Sequence, residues 1–221
     1  MEDDIKMLLL KTKQMVVEYG RKILNQGLVV GTWGNISARD GDKGVFVITP
    51  SGMNYDMLEP EDIVEVDLYG KPITTNRKPS VETPMHAAIY RARPDVKAII
   101  HVHSINASAC AAAQVEIPCI MEDMASMVGG PVKVARYAIS GSEELGQNAV
   151  EALADRNAVL LANHGVVAVG RDLSEAFRTC LIVEKSAEIF LKARILGNPV
   201  PLAESEVKFL REFFLNSYGQ R

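Results

Sequence analysis

The stretch Lys78–Ser104, KPSVETPMHAAIYRARPDVKAIIHVHS, places a helical pattern directly before a strand pattern. Thr83 and Pro84 fit the N-cap and the first residue of a helix, which must end before Pro94. The apolar run that follows, Ala98–His103, predicts a buried strand. A helix that leads into a buried strand favours an α/β fold built from layers.

The rest of the chain repeats this mixture of patterns. Strands are predicted at residues 45–48, 63–66, 133–139, 158–162 and 166–169. Helices are predicted at residues 4–25, 104–114, 142–154, 174–196 and 204–215. No repeat or linker divides the sequence, so residues 1–221 are expected to form one α/β domain. The order of the strands does not follow from the pattern.

The composition limits the class of protein. A chain of 221 residues with 48% hydrophobic content can bury one substantial core. Its net charge of −4 argues against a nucleic-acid partner, and no apolar run is long enough to cross a membrane. The acidic start is unlike a secretory signal, and the three cysteines form no CxxC pair. We therefore expect a cytoplasmic protein with reduced thiols.

Three histidines form the strongest chemical signal. Strand side chains alternate between faces, so His101 and His103 are expected to point to the same side. His164 follows a second apolar run, in the sequence Asn163-His164-Gly165. Three imidazoles with one open position are typical of a catalytic zinc ion, and Glu82 can add a carboxylate. The pattern predicts a metal-dependent enzyme, although two histidines in a half-buried strand need no metal.

Two residues near the start of the predicted helix allow two interpretations each. Glu82 is either a general acid or base beside the metal, or a glutamate favoured at that position by the helix dipole. His86 lies four residues later and is interpreted as a hydrogen-bonded structural histidine in preference to a ligand. The sequence does not decide the role of Glu82.

Two segments rich in glycine and hydroxyl side chains resemble anion sites. They are Gly31–Ser37 and Thr49–Gly52, with Ser80 as a further contributor. Backbone N–H groups and hydroxyls that converge can hold a phosphate without a lysine. Neither segment matches a P-loop or a dinucleotide-binding fingerprint, and most such segments are ordinary turns.

Taken together, these motifs resemble the class II aldolase/adducin family, and within it the fuculose-phosphate aldolases. The resemblance rests on the ordered segments GTWGNIS, ITPSG, PSVETPMH, HVHS and NHG, which begin at residues 31, 48, 79, 101 and 163. It extends over nearly the whole chain. It implies an α/β/α domain with a mainly antiparallel central sheet, and a homotetramer whose active sites lie at subunit boundaries.

The resemblance also implies roles for individual residues. His101, His103 and His164 match the zinc ligands, although another divalent metal is possible. Glu82 matches the residue that ligates the resting metal and then shuttles protons. The positions that match the phosphate site are Thr32, Asn35, Ser51, Gly52 and Ser80.

Two positions depart from the fuculose-phosphate aldolases. Val81 stands where that branch has a second serine, which removes one phosphate hydrogen bond. Glu122 stands where it has a catalytic tyrosine, and a glutamate there can protonate or orient an aldehyde oxygen. Tyr218 is the candidate for a C-terminal tyrosine that reaches the site of a neighbouring subunit.

The expected activity is a zinc-dependent, reversible cleavage of a (deoxy)ketose 1-phosphate, such as L-fuculose 1-phosphate. The products are dihydroxyacetone phosphate and an aldehyde. Three alternatives remain open at this point. They are a pentulose-phosphate 4-epimerase, a methylthioribulose-1-phosphate dehydratase and a non-catalytic adducin-like interaction module.

Overall fold

A computed structural model describes residues 2–39, 44–74 and 76–219. Its strands are β1 Asn35–Ala38, β2 Val45–Ile48, β3 Val64–Asp67, β4 Ala98–Val102, β5 Val134–Ala135, β6 Ala158–Leu161 and β7 Gly165–Gly170. Its α-helices are α1 Glu2–Asn25, α2 Thr83–Ala92, α3 Ile105–Ala112, α4 Glu122–Val128, α5 Glu143–Leu153, α6 Leu173–Leu196 and α7 Glu204–Ser217. Two short 3-10 helices, Tyr55–Met57 and Pro60–Asp62, precede β3.

The strands form one sheet in the order β3-β2-β1-β4-β7-β6-β5. Only β5 and β6 pair in parallel, so the expected mainly antiparallel sheet is confirmed. β4 lies at the centre, with β1 along one edge and β7 along the other. Their register places His101 of β4 opposite Asn35 of β1 and opposite Val167 of β7.

Helices cover both faces of this sheet, which gives the expected three layers. α2 and α5 pack on one face, against a cluster that includes Ile99 and Val167. α1, α3, α4 and α6 pack on the other face, against a cluster that includes Ile100 and Val166. Alternate residues of β4 and β7 therefore enter different cores, as the period of a strand requires. By the same alternation, His101 faces the layer that contains α2.

Several elements differ from their predicted form. The segment Gly31–Ser37 was expected to be a turn, but its second half is the strand β1. The strand expected at residues 133–139 is reduced to the two residues of β5. Helix α4 was not predicted. Glu82, and not Thr83, occupies the N-cap position of α2, and its side chain makes no capping hydrogen bond. No helix in the described part of the chain has the length and apolar character needed to span a membrane.

The N-terminus of α3 is capped by a distant residue. Ser104 occupies the N-cap position, but its side chain makes no capping hydrogen bond. The Glu184 carboxylate of α6 instead accepts the backbone N–H of Asn106 at 2.9 Å and that of Ala107 at 3.0 Å. It also accepts the side-chain amide of Asn106 at 2.7 Å. A negative charge at this end of a helix is favoured by the helix dipole.

We predict that Glu184→Ala lowers the free energy of unfolding by about 1–3 kcal/mol, because three donors lose a charged acceptor. Ser104→Ala is the matched control, since the Ser104 hydroxyl has no hydrogen-bond partner among the described residues. The control removes a buried hydroxyl that has no partner and therefore should not lower the free energy of unfolding. Urea unfolding of the metal-free protein at fixed concentration measures both. Equal losses in the two variants would contradict the assigned cap.

Candidate active site

Two neighbouring parts of the sheet bring the three histidines together. His101 belongs to β4, and His103 lies just beyond its end. His164 sits in the tight turn between β6 and β7, directly after Asn163, whose φ is +55°. One nitrogen from each imidazole lies within 4.8 Å of the others. The histidines thus converge as the alternation and the spacing predicted.

The hydrogen bonds of His101 fix which of its nitrogens faces the cluster. Its Nδ1 lies 3.0 Å from the carbonyl oxygen of Val166, to which only an N–H can donate. This hydrogen bond leaves Nε2 as the nitrogen that faces the cluster, 2.9 Å from Nε2 of His103. A backbone carbonyl that holds the far nitrogen is the usual support of a metal-binding histidine.

Glu82 closes the remaining side of the cluster from the start of α2. Its Oε2 lies 3.1 Å from Nε2 of His101, and its Oε1 lies 3.4 Å from Nε2 of His164. The side chain is buried, yet Oε1 accepts no hydrogen bond within the described part of the chain. A buried carboxylate oxygen without a donor is costly unless a cation satisfies it. This orphaned oxygen beside three imidazoles fits a divalent metal ion.

The charge states of these groups also suit a metal. Burial alone raises the pKa of Glu82, but nearby His101 and His164 outweigh it and lower the pKa to about 2. Burial, followed by repulsion between the imidazoles, lowers the pKa of His103 and of His164 to about 4. At neutral pH the carboxylate is ionised and these two imidazoles are neutral. Those are the forms that bind metals.

Glycine at two positions lets neighbouring backbone approach β4 closely. A Cβ on Gly165 would lie 2.6 Å from the carbonyl oxygen of Val102 and 2.8 Å from the ring of His103. A Cβ on Gly34, whose φ is +84°, would lie 2.6 Å from the carbonyl oxygen of His101. Any larger residue would displace the backbone that carries the histidines.

The predicted anion-binding segments meet near Glu82, where the backbone N–H of Thr49 donates to the carbonyl oxygen of Ile36 at 3.0 Å. The backbone N–H of Ser51 donates to Lys78 at 3.0 Å, and that of Ser80 donates to Thr49 at 3.1 Å. Ser51 and Gly52 are exposed, Thr32 is half-buried and Ser80 is buried. The Ser80 hydroxyl accepts the N–H of Glu82 at 3.2 Å, which links this region to the carboxylate.

Asn35 has partners that the sequence did not reveal. Its Nδ2 donates to Oε2 of Glu82 at 2.8 Å, and its Oδ1 lies 2.6 Å from Nε2 of His86. His86 is fully buried and also contacts the hydroxyl of Ser37, whose other partner is the hydroxyl of Tyr90. The preferred interpretation of His86 as a hydrogen-bonded structural histidine is confirmed. The usable signal was the spacing of Glu82, His86 and Tyr90, one turn apart on α2.

Glu122 and Tyr218 lie elsewhere in the single chain. Both line a cavity of about 460 Å³ between α4, α6 and α7, together with Arg178 and Phe214. Neither Glu82 nor any of the three histidines lines this cavity. Tyr218 is 65% exposed, and Val81, beside Glu82, is 67% exposed. Tyr218 and Val81 therefore each have surface available for contact with a neighbouring molecule.

The fold and the site agree with a known family. The profile described as Class II Aldolase and Adducin N-terminal domain matches residues 14–191. Because this match covers well over half of the chain, the protein belongs to the class II aldolase/adducin family. Metal dependence is general among the class II aldolases, and the chain is an enzyme of the aldehyde-lyase type.

Two relatives and one solved structure illustrate the similarity. A 5-deoxy-D-ribulose 1-phosphate aldolase of Bacillus thuringiensis serovar kurstaki is 38% identical over 215 residues, 97% of this chain and 100% of the relative. A 5-methylthioribulose-1-phosphate/5-deoxyribulose-1-phosphate aldolase of Rhodospirillum rubrum is 35% identical, covering 92% of this chain and 90% of the relative. A structure of an L-fuculose 1-phosphate aldolase superposes with a TM-score of 0.89 at 38% identity, covering 93% and 96%.

We predict that Gly165→Ala lowers the affinity for Zn²⁺ at least about tenfold, because the added methyl group would press on His103 and its backbone. Gly197→Ala is the matched control, since a Cβ there would meet nothing within 4 Å. Competition with a chromogenic chelator measures both affinities. Unchanged zinc binding in Gly165→Ala would show that the close approach at residue 165 does not shape the site.

The buried histidine predicts a pH dependence of stability in the metal-free protein. Burial lowers the pKa of His86 to about 3, whereas an unfolded histidine titrates near 6.5. Between these two pH values the imidazole of residue 86 is protonated in the unfolded chain and neutral in the folded one. His86 therefore does not lower the free energy of unfolding above about pH 6.5, and it lowers it increasingly as the pH falls. The stability that the lowered pKa of Glu82 contributes is complete above about pH 4.5 and is lost only below that value, so it is constant in this window.

His86→Gln should therefore reduce the loss of unfolding free energy between pH 6 and pH 5 by about 1 kcal/mol. Urea unfolding at the two pH values, in the presence of a chelator, measures this slope. The same slope in wild type and variant would mean that His86 is already protonated in the folded protein.

Proposed function

We propose that this enzyme is a zinc-dependent aldolase that reversibly cleaves a 5-deoxypentulose 1-phosphate to dihydroxyacetone phosphate and acetaldehyde. The observation that carries the proposal is the buried cluster of His101, His103, His164 and Glu82 beside converging anion-binding segments. An aldol cleavage needs these parts, because negative charge develops beside a carbonyl while the phosphate holds the substrate in register.

Zinc is supported by the ligand set. Three imidazole nitrogens and one carboxylate suit a borderline-soft ion that accepts four ligands. A catalytic zinc site keeps one position for substrate, which Oε1 of Glu82 would vacate while Oε2 stays hydrogen-bonded to Asn35. When bound, the metal supplies Lewis acidity that favours negative charge on the substrate oxygens.

The substrate is inferred from the relatives. Two of them, similar over at least nine-tenths of this chain, carry names that include a 5-deoxyribulose 1-phosphate. L-Fuculose 1-phosphate, the first expectation from the motifs, becomes the comparison substrate. The departures at Val81 and Glu122 agree with a substrate other than L-fuculose 1-phosphate, because both change side chains that the fuculose-phosphate branch uses.

In this mechanism the residues of the chain bind phosphate and move protons. Thr32, Asn35, Ser51, Gly52 and Ser80 hold the phosphate by N–H and O–H groups. During cleavage the C4 hydroxyl gives its proton to the carboxylate of Glu122, the C3–C4 bond breaks with its electron pair remaining on C3, and C4 becomes the aldehyde carbon. Glu82, ionised at rest, takes up a proton from water and delivers it to C3 of dihydroxyacetone phosphate, while Glu122 returns its proton to water. In the reverse direction Glu82 removes the proton from C3.

Glu122 and Tyr218 would act on the aldehyde half of the site from a neighbouring subunit. Their separation from the histidines within one chain supports this arrangement. Glu122 would protonate or orient the aldehyde oxygen, and the homotetramer implied by the family resemblance would bring the two halves together. The three buried, unpaired cysteines agree with the reducing environment of the cytoplasm.

A coupled assay for dihydroxyacetone phosphate tests the proposed reaction. The panel contains 5-deoxyribulose 1-phosphate, L-fuculose 1-phosphate and unphosphorylated 5-deoxyribulose, each with zinc-loaded and chelator-treated enzyme. We expect kcat/KM to be highest for the first, by about tenfold or more over the second. The chelator should abolish turnover, and the unphosphorylated sugar should react poorly because the anion site is empty.

Product analysis by NMR, with 5-methylthioribulose 1-phosphate added to the panel, and metal analysis of the purified protein would point to the alternatives. Inversion at C4 without release of dihydroxyacetone phosphate would indicate an epimerase, and loss of water from 5-methylthioribulose 1-phosphate would indicate a dehydratase. Purification without bound divalent metal, together with no turnover, would indicate an interaction module.

Glu82→Gln should lower the rate of proton exchange at C3 of dihydroxyacetone phosphate by about 10²–10⁴-fold. Glutamine keeps the size of the side chain but accepts no proton at neutral pH. Exchange into deuterated water needs no aldehyde, so NMR isolates this step. Glu116→Gln, at an exposed position, is the control and should exchange at the wild-type rate. Wild-type exchange in zinc-loaded Glu82→Gln would transfer the role to another base, with Glu122 the first candidate.

A further inference from the structure

We propose that Tyr90, Ser37, His86 and Asn35 form a one-directional chain of hydrogen bonds that fixes the carboxylate of Glu82. In this chain, His86 and Asn35 are positioning residues: they act on the reaction through Glu82. The inference rests on the proposed function in one respect, that Glu82 transfers the proton. It adds an assignment for a fully buried histidine that binds no metal.

The hydrogen-bond chain forms where one face of β1 meets one face of α2, and the period of each element places its residues on that face. Asn35 and Ser37 are two residues apart on β1, so they share the face of the sheet that is turned to α2. Glu82, His86 and Tyr90 are four residues apart, so they share one face of α2. The side chains of the helix and the strand alternate along the contact. This alternation leads from the surface of the metal cluster into the core.

Each link is short and buried. Tyr90 Oη lies 2.8 Å from Ser37 Oγ, which lies 2.6 Å from His86 Nδ1. His86 Nε2 lies 2.6 Å from Asn35 Oδ1, and Asn35 Nδ2 lies 2.8 Å from Glu82 Oε2. None of the five residues is more than 5% exposed. Buried polar links of this kind are stable only when every donor has an acceptor.

The chemistry of the carboxylate fixes the direction of every link. An ionised carboxylate only accepts, so Asn35 must present its NH₂ group to Glu82 and its oxygen to His86. That oxygen in turn requires a proton on Nε2 of His86, and the neutral ring then accepts at Nδ1. Ser37 therefore donates to His86 and accepts from Tyr90. Burial raises the pKa of Tyr90, so its hydroxyl keeps the proton that it donates.

The two oxygens of Glu82 consequently have different surroundings and different roles. Oε2 is held by Asn35, whereas Oε1 has no hydrogen-bond donor within the described residues. The hydrogen-bond chain holds Oε2 in place and leaves Oε1 as the oxygen that can leave the metal position and exchange a proton. A partner that orients a catalytic group typically contributes about 10–100-fold in activity or metal affinity.

The first test is the tautomer of His86 in the metal-free wild type at pH 7. Nitrogen NMR of ¹⁵N-histidine protein resolves four imidazoles, and the signal that disappears in His86→Gln identifies His86. We expect a neutral ring with its proton on Nε2. A proton on Nδ1, or a doubly protonated ring, would overturn the proposed direction. This measurement needs no turnover, and the variant that identifies the signal keeps an amide that can donate to Asn35.

The second test compares variants of the chain. His86→Leu should lower kcat for proton exchange at C3 and the affinity for Zn²⁺ by about 10–100-fold, while KM for dihydroxyacetone phosphate changes little. His86→Gln should recover most of the loss, because its amide can donate to Asn35. Tyr90→Phe removes only the outermost hydroxyl and should cause a smaller loss. Tyr19→Phe, at a buried tyrosine that packs on Phe177, is the matched control.

Wild-type kcat and zinc affinity in His86→Leu would overturn the proposal, as would a loss confined to KM. If His86→Leu does not fold, Tyr90→Phe and the wild-type tautomer still decide. Failure of the proposed function would look different. In that case the wild type would cleave no ketose phosphate. The tautomer of His86 and the zinc affinities of the variants would still test the hydrogen-bond chain.

Discussion

The pairing of β4 with strands on both of its edges is the constraint on which the site depends. β1 places Asn35 opposite His101 on one edge, and β7 places Val167 opposite it on the other. Gly34 and Gly165 permit this approach, since a side chain at either position would collide with a carbonyl of the β4 segment. His101 is therefore held by the backbone of the sheet, and His103 and His164 each lie directly beside the end of a strand.

That constraint also explains how the charges coexist. An ionised Glu82 would be unstable in the core on its own. It is tolerated because it begins α2 and receives the amide of Asn35, and because its other oxygen lies beside the histidines with which it would share a metal ion. Helix, strand and turn thus each provide one part of its environment. The position of the carboxylate therefore depends on the sheet as well as on the helix that carries it.

Sequence reasoning found what local periodicity encodes. The alternation in Ala98–His103 placed two histidines on one face, and the helix before Pro94 was found within two residues of its end. β1 was missed because one of its faces is polar: Asn35 and Ser37 occupy positions where a strand usually shows apolar residues. The reason for that polarity lies on α2, nearly fifty residues away. No local pattern carries such information.

Other differences have the same origin. Ser104 looked like a cap for α3, yet the capping carboxylate comes from Glu184, 78 residues after Asn106 in the chain. Helix α4 has only seven residues, too few for a periodicity to stand out, although Gly129 in left-handed conformation marks its end. Glu122 and Tyr218 were assigned through resemblance alone, and in one chain they lie apart from the histidines.

The cap by Glu184 also bears on the rate at which a bound ion is released. α3 begins two residues after His103, so the carboxylate of α6 stabilises the segment that carries one of the ligands. A local opening that detached the middle of α6 would release the first turn of α3 and with it the restraint on His103. The slow escape of a bound ion and the exchange of the α6 amides with solvent would then share one opening event. The local stability of α6 would then determine the residence time of the bound ion.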